Sequence, residues 1–461
     1  MKINKVRDKN HNQSSPNPHN KVRGVLMKKI LGKKFFQLLK GIGQIAQRES
    51  LTAYLVGGPV RDLLLGMQQN GTYGGKDLDI VVSAGREITK NTAINLAKEL
   101  FQIWSPHPPA GEAGQKEVKF RVHQHFGTAT ILFPGLQIDF AFSRKEKYAY
   151  PGALPEVAPG NIEDDLYRRD FTINSLAMEL NPDNFGELLD LTGGENDLKK
   201  GLIHVLHRKS FLDDPTRILR AARFAGRYNF QIEKKTLVWL KEAIKKNVFS
   251  TISRERFREE MITILKEKNF VSCINLLSSW GGLDFLSPSI HWETIQTSNF
   301  KLQTFGGDWL VNLLLLIKNL NYMQSEDVAR RMVLTREERK VILETKKHLP
   351  KVLQALRKNY PLDYIYRYFT LLPEQGIIHL EVSNPRWENI IATFHRRKNK
   401  ARAVINGENL KKLGFKPGPI YKKILERIYQ EKIVGNLPIN LPKKKIKEKE
   451  IKFVTKHFAL A

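Results

Sequence analysis

Hydrophobic periodicity changes once along this chain, and that change limits what it can fold into. Between Leu51 and about Leu180, apolar and polar residues alternate in short runs, the period-two signature of half-buried strands. Ala53–Val56 and Leu78–Val82 read as strands, and Thr89–Leu100 as a helix. Thr128–Phe133 and Leu136–Phe142 read as a hairpin turned at Pro134-Gly135. After Asp190 the strand signals largely stop. Helical periodicity then runs through Pro215–Asn229, Lys235–Lys245, Glu255–Lys266 and most of the chain to Tyr429. The expected fold class is therefore α+β, a strand-rich segment followed by an all-helical remainder. The divisions are residues 1–45 (a basic, partly disordered extension), 46–180, 181–270, 271–395 and a basic 396–461.

Charge narrows the function. The formal net charge is +29, and it is concentrated at the ends. Residues 1–50 hold 12 basic and 2 acidic side chains, and residues 396–461 hold 19 and 5. Such segregation suits a polyanionic partner handled by dedicated surfaces. The single cysteine, Cys273, excludes intramolecular disulfides and cysteine-rich metal sites. No apolar run reaches the ~18 residues of a membrane span, the best being Leu310–Ile317. No signal-type apolar stretch stands near the N-terminus, so a soluble, cytoplasmic protein with no membrane partner is expected.

The chemistry-bearing residues begin with Asp77-Leu78-Asp79. In a strand, Asp77 and Asp79 face one way while Leu78 and Ile80 enter the core. Adjacent like charges repel, and a cation relieves them. Oxygen-only donors favour Mg²⁺, which keeps waters and shares substrate phosphates. On the later strand Asp139 is a lone acid between Ile138 and Phe140. If the two strands are neighbours, three carboxylates converge as two-metal phosphoryl transfer requires. Upstream, a strand ends at Gly57-Gly58 and a short helix starts near Pro59. Amides at such a turn cradle phosphate oxygens, and Arg61 one turn on adds charge.

These segments resemble a family signature. Gly57-Gly58-Pro-Val-Arg61-Asp62-Leu-Leu-Leu-Gly66 followed by Asp77-Leu-Asp79 is similar to that of class II tRNA nucleotidyltransferases and bacterial poly(A) polymerases. Arg168-Arg169-Asp170-Phe171-Thr172-Ile173-Asn174 resembles the second motif, and Asp213-Asp214-Pro215-Thr216-Arg217 through Arg223-Phe224 the third. The resemblance implies a polymerase-β-like nucleotidyltransferase head over 46–180, a base-recognising neck over 181–270, a body over 271–395 and a tail over 396–461. It also implies that Arg169 and Asp170 contact ribose and triphosphate and that Asn174 buttresses them. One departure is the stretch Met67–Lys76, which reads as a loop insertion before Asp77. Ser143–Glu163, rich in Pro and Gly, resembles the family's flexible loop, which CC-only members lack. Its Tyr148–Pro155 wording leans toward A-adding members.

The third motif has a physical logic of its own. Asp214 before Pro215 suits a helix start, and Arg217, Arg220, Arg223 and Arg227 share one helical stripe. No acid lies in 215–229, so these arginines need anions from elsewhere. A carboxylate accepts hydrogen bonds and a guanidinium donates them. Cytosine and adenine each offer an amine beside a ring-nitrogen acceptor, whereas uracil and guanine offer the reverse. An Asp214/Arg217 pair therefore suits CTP and ATP, the base-templating role that the resemblance implies for it. Family members that add CCA often carry Glu where Asp213 stands here.

At the C-terminal end, Arg396, Arg397, Lys398, Lys400 and Arg402 lead into two expected helices joined at Gly414-Phe-Lys416-Pro-Gly-Pro419. These six side chains are candidates for an RNA backbone. The expected activity is template-independent addition of CMP and AMP from CTP and ATP to the tRNA 3′ end, with two Mg²⁺ on Asp77, Asp79 and Asp139. A-only addition, poly(A) synthesis and non-catalytic RNA binding are the alternatives.

Overall fold

The computed structural model describes residues 18–69, 77–84, 88–105, 118–292 and 308–458. The chain divides into two compact units, Met1–Ile252 and Ser253–Ala461.

The first unit is built on a seven-stranded sheet. Its elements are α1 (Pro18–Arg48), β1 (Thr52–Val56), α2 (Gly58–Gln69), β2 (Asp77–Ser83), α3 (Thr92–Trp104), β3 (Lys119–His123), β4 (Thr128–Phe133) and β5 (Leu136–Phe142). Then come β6 (Arg144–Lys147), β7 (Glu156–Pro159), α4 (Ile162–Tyr167), β8 (Leu176–Glu179) and β9 (Leu188–Asp190). The strand order is β3-β4-β5-β2-β1-β8-β9. β2 and β5 run parallel and the other neighbours antiparallel. Alternation gives the sheet its core: Leu78, Ile80, Ile138, Phe140, Ala129 and Ile131 are fully or almost fully buried. α3 covers that face, with Phe101 stacked on Phe120 at 5.3 Å and Trp104 against Phe133.

α1 differs from the expected extension. Residues 18–26 are helical rather than irregular, and the helix kinks at Gly32 (φ 74). Its second half is core, since Leu38, Leu39, Ile42 and Ala46 are buried at helical spacing. Within it Gly43 meets the chain after β8 so closely that a Cβ would lie 1.6 Å from the Leu180 carbonyl oxygen. Gly43→Ala is expected to destabilise this unit by about 3 kcal/mol through backbone overpacking, read as a lower denaturation midpoint.

Of the expected Met67–Lys76 insertion, residues 67–69 complete α2, and 70–76 lie outside the described residues. Ser143–Glu163 is not a plain loop: β6 and β7 pair as an antiparallel ribbon. α4 then starts at a capping box, in which Asn161 and Asp164 exchange side-chain bonds to backbone amides. The unit closes with α5 (Gly194–Lys200), β10 (Leu202–Ile203), α6 (Ser210–Asp213), α7 (Thr216–Tyr228), β11 (Gln231–Ile232) and α8 (Lys234–Lys245).

Among its described residues the second unit is helical: α9 (Arg254–Leu265), α10 (Phe270–Trp280), α11 (Trp309–Leu316), α12 (Tyr322–Arg331), α13 (Arg336–Arg357), α14 (Leu362–Phe369), α15 (Glu374–Ser383), α16 (Glu388–Lys400), α17 (Gly407–Lys412), α18 (Pro419–Val434) and α19 (Lys443–His457). Tyr366, Phe369 and Phe394 form one core, and Ile405, Leu410, Ile424, Ile428 and Val454 another. No helix among the described residues is long and apolar enough to cross a membrane.

Candidate active site

Register brings the acids together. In the parallel β2/β5 pair, Asp79 stands directly across from Asp139 and Asp77 across from Gln137. Residues opposed in register share a face, so Asp77, Asp79 and Asp139 stand together on the face that α3 does not cover. Asp139 is oriented from both sides: Thr130 Oγ1 donates to Oδ1 at 2.5 Å and Gln137 Nε2 to Oδ2 at 2.7 Å. Crowding by surrounding protein pushes the Asp79 carboxyl up to about 6. Arg169 opposes that rise, while Asp139 and Asp77 add to it. Asp79 nevertheless remains open to solvent.

The glycine turn meets this face at the start of α2. Gly57 has φ 69 and its N–H donates to the Leu176 carbonyl. Val60 is fully buried, so Gly58, half-buried and lining the cleft, is the first-turn residue left to meet a ligand at the helix N-terminus. A Cβ on Gly57 would lie 2.5 Å from Arg169 Nη1. Gly57→Ala is expected to strain the turn, displace the Arg169 guanidinium and weaken nucleoside-triphosphate binding by this cleft about 10- to 100-fold in a titration, with the fold retained by circular dichroism.

Arg61, expected as a phosphate contact, lines the same cleft as Gly58 and Asp79 but is held from within the protein. It is buried, bonds Asp62 and donates to Asn174 Oδ1 at 2.5 Å, and its guanidinium lies about 5 Å from the rings of Phe224 and Tyr228. Asn174 Nδ2 in turn donates to Asp170 Oδ1 at 3.0 Å, and Arg220 holds Asp170 Oδ2 at 2.6 and 2.8 Å. Burial alone raises a carboxyl, but Arg220 and the Asn174 amide hold Asp170 down at about 2. Asp170 is thus inside the wall. It also answers part of the arginine stripe, because Arg220 finds its anion within the chain.

The stripe is not uniform. Arg217 is buried, donating to Ser210 Oγ at 2.6 Å and to the Arg168 carbonyl at 2.9 Å. Asp214 Oδ1 accepts from the Thr216 amide and hydroxyl at 3.0 and 2.7 Å, which starts α7 one residue later than expected. Ile218, Ala221, Ala222 and Ala225 fill the core behind them. Gly58, Asp79, Arg169, Asp170, Asn174, Asp214, Arg217 and Arg220 line one cleft of about 480 Å³. Its lining combines the Asp79 carboxylate, the start of a helix and the Asp214/Arg217 acceptor–donor pair. That arrangement suits a triphosphate with a base attached. Of the two remaining stripe arginines, Arg223 packs its guanidinium 4.9 Å from the Phe224 ring and Arg227 lies 6.0 Å from the Tyr228 ring.

Two residues that line or brace this cleft, Asp165 and Glu146, carry no motif in the sequence. Asp165 is fully buried and binds both Arg168 (2.7 Å) and Arg169 (2.9 Å); burial would raise its carboxyl, but the two guanidinium charges keep it low. Glu146, on β6, holds Arg168 at 2.8 Å, and Tyr148 donates to Glu146. Asp165 precedes its two arginines by three and four residues, a helical spacing visible in the sequence. Glu146 depends on the β6–β7 ribbon and left no such signal.

The donor set bears on whether a metal fits. Among the described residues no group of three or more His, Cys, Asp or Glu forms a ready-made metal site. Asp77 and Asp79 nonetheless present hard oxygen donors side by side, and each hydrogen-bonded oxygen of Asp139 keeps a lone pair. Thr130 and Gln137 orient Asp139 as outer partners orient metal-binding carboxylates. The residues fit an oxygen-ligated divalent cation.

In the second unit the tail candidates separate. Arg397 faces inward, donating to the carbonyls of Ile433 (2.8 Å) and Lys432 (3.0 Å) at the end of α18. Lys398 pairs with Glu374, and Lys400 reaches Asn440 at 3.5 Å. Arg396, Arg402 and Lys416 are exposed, with Lys416 on the turn between α17 and α18.

Two family models match this chain, the first spanning the Gly57–Asp79 and Arg168–Asn174 motifs and the second starting just after the Asp213–Phe224 motif. Residues 53–204 match the family described as the Poly A polymerase head domain, and 229–293 the probable RNA and SrmB-binding site of polymerase A. The chain is 30% identical to an A-adding tRNA nucleotidyltransferase of Geobacter sulfurreducens, over 89% of this chain but 46% of that protein, so it spans about half that relative's length. It is 29% identical to an A-adding tRNA nucleotidyltransferase of Halalkalibacterium halodurans, over 89% and 92%. Among solved structures, a CCA-adding enzyme in an apo form superposes with a TM-score of 0.70 at 30% identity, covering 93% of this chain and 98% of that one. With motifs, head and nearly full-length likeness in agreement, this chain belongs to the family of tRNA nucleotidyltransferases and bacterial poly(A) polymerases.

Proposed function

We propose that this protein adds CMP and AMP, without a nucleic-acid template, to the 3′ end of tRNA. The observation that carries the reading is the register of Asp79 opposite Asp139, with Asp79 lining one cleft together with Gly58, Asp214 and Arg217.

The chain's own groups divide the work along that cleft. The Gly58 amide receives a phosphate oxygen at the positive end of α2. Arg169, held by Asp165, presents charge at the carboxylate end. Arg220 and Asn174 keep Asp170 ionised and fixed, so the wall under the ribose does not move. Asp214 and Arg217 are locked by Thr216, Ser210 and the Arg168 carbonyl, which sets one acceptor and one donor against the incoming base. Divalent ions on Asp77 and Asp79, joined by Asp139, would neutralise the charge at the α-phosphate and favour ionisation of the RNA 3′-hydroxyl. Head, neck, body and tail over 46–180, 181–270, 271–395 and 396–461 give the division of labour. Arg396, Arg402 and Lys416 are the tail residues best placed for RNA, and the working compartment is the cytoplasm.

A second reading is addition of A alone. The relatives in Geobacter and Halalkalibacterium are named for that activity, and the Tyr148–Pro155 segment leans the same way. Truncated tRNAs ending before CCA, after C and after CC, offered CTP or ATP singly, separate the readings. Incorporation of C on the first substrate supports CCA addition. Incorporation only of A, and only after CC, supports the second reading, and long A tails would instead indicate a poly(A) polymerase.

A further inference from the structure

The acidic face continues, without a break in register, into a basic edge. On β3, Arg121 stands across from Thr130, Thr130 across from Asp139, and Asp139 across from Asp79. One row along, Lys119 stands across from Leu132, Leu132 across from Gln137, and Gln137 across from Asp77. Two cross-strand rows therefore each begin at a cation on the sheet edge and end at a carboxylate of the site. The shared face is fixed by two contacts: the Thr130 hydroxyl on Asp139, and Phe120, which points to the other side and stacks on Phe101.

Both cations are exposed. Neither forms an ion pair with the described residues, unlike Arg61, Arg168, Arg169 and Arg220, whose charges are answered inside the protein. At the usual strand spacing the edge lies about 10 Å from β5 and about 14 Å from β2. That places the cations beyond the reacting centre, on the same face of the sheet. Charges on an edge strand also guard against strand addition. Such guarding does not require them to share a face with the acids.

We propose that Lys119 and Arg121 form a phosphate-binding track on the β3 edge, holding the RNA backbone upstream of its 3′-hydroxyl so that the end lies over Asp79 and Asp139. This assignment rests on the nucleotidyl-transfer reading. Lys119 and Arg121 act as positioning residues, contacting phosphates and not the reacting atoms.

The test is steady-state extension of a truncated tRNA by Lys119→Ala/Arg121→Ala, with KM for RNA and for ATP measured separately across salt. The double variant is expected to raise the RNA KM about tenfold, and to flatten the dependence of log KM on log salt by about 0.7 for each charge removed. KM for ATP and the melting temperature stay put, and Arg121→Lys recovers part of the RNA affinity. An unchanged RNA KM and salt slope, or a rise in KM for ATP alone, overturns the track. Failure of the unsubstituted protein to extend any RNA would instead defeat the nucleotidyl-transfer reading itself.

Discussion

Asp79→Asn is expected to lower nucleotide incorporation about 10³-fold while leaving the protein folded. The substitution keeps the shape of the side chain and removes one negative charge from the centre of the Asp77–Asp79–Asp139 face. A charge facing the reacting phosphate in a preorganised site contributes about that much to rate. Stability should not fall with it. Asp79 is held above the ordinary carboxylate range, so ionising it above pH ~6 costs the folded state, and that cost is absent when the carboxyl is protonated or replaced. The expected pair of readouts is therefore a rate lost by orders of magnitude and a melting temperature equal to or above that of the unsubstituted protein. A parallel loss of both would point to Asp79 as a packing residue instead.

The largest expected effect on stability lies in the second unit. Glu450 on α19 is fully buried, pairs with the buried Lys432 of α18, and accepts from the amides of Val404 (2.9 and 3.1 Å) and Ile405 (2.8 Å). Lys432 also donates to the Arg402 carbonyl at 2.9 Å. Glu450→Ala leaves an ammonium and two amides without their acceptor in an apolar surrounding, and should cost about 3–5 kcal/mol, read from denaturant midpoints. Glu450→Leu with Lys432→Met should cost less than Glu450→Ala, since no charge is then stranded. If Glu450→Ala costs no more than an exposed pair does, the buried-pair account is wrong.

Particular residues show why some of this was legible in the sequence and some was not. Strand alternation gave β2 and β5, and with them the facing of Asp77, Asp79 and Asp139, because a two-residue period leaves one arrangement of inside and outside. Whether β2 neighbours β5 is a long-range fact that local pattern does not carry; the structure supplied it. The arginines of α7 were found by their spacing, but their partners were not. Arg220 meets Asp170 fifty residues earlier in the chain, and Arg217 meets a backbone carbonyl, which has no sequence signature at all. Charge marks the tail, and charge does not distinguish Arg397, which caps α18, from exposed Arg396. Lys443–Lys452 reads as one cationic run, yet Ile446 and Glu450 are buried within it and Val454 continues that stripe beyond it.

The central claim is that the carboxylate row of β2 and β5, beside the α2 helix start, performs divalent-ion-dependent nucleotide addition to RNA. Its most direct test is labelled-nucleotide incorporation by the purified chain on truncated tRNA, with Mg²⁺, with EDTA, and in Asp77→Ala/Asp79→Ala. The account predicts extension by the unsubstituted protein in Mg²⁺, none in EDTA and none by the double variant in either. Extension that persists in EDTA, or that survives the loss of both aspartates, would contradict it.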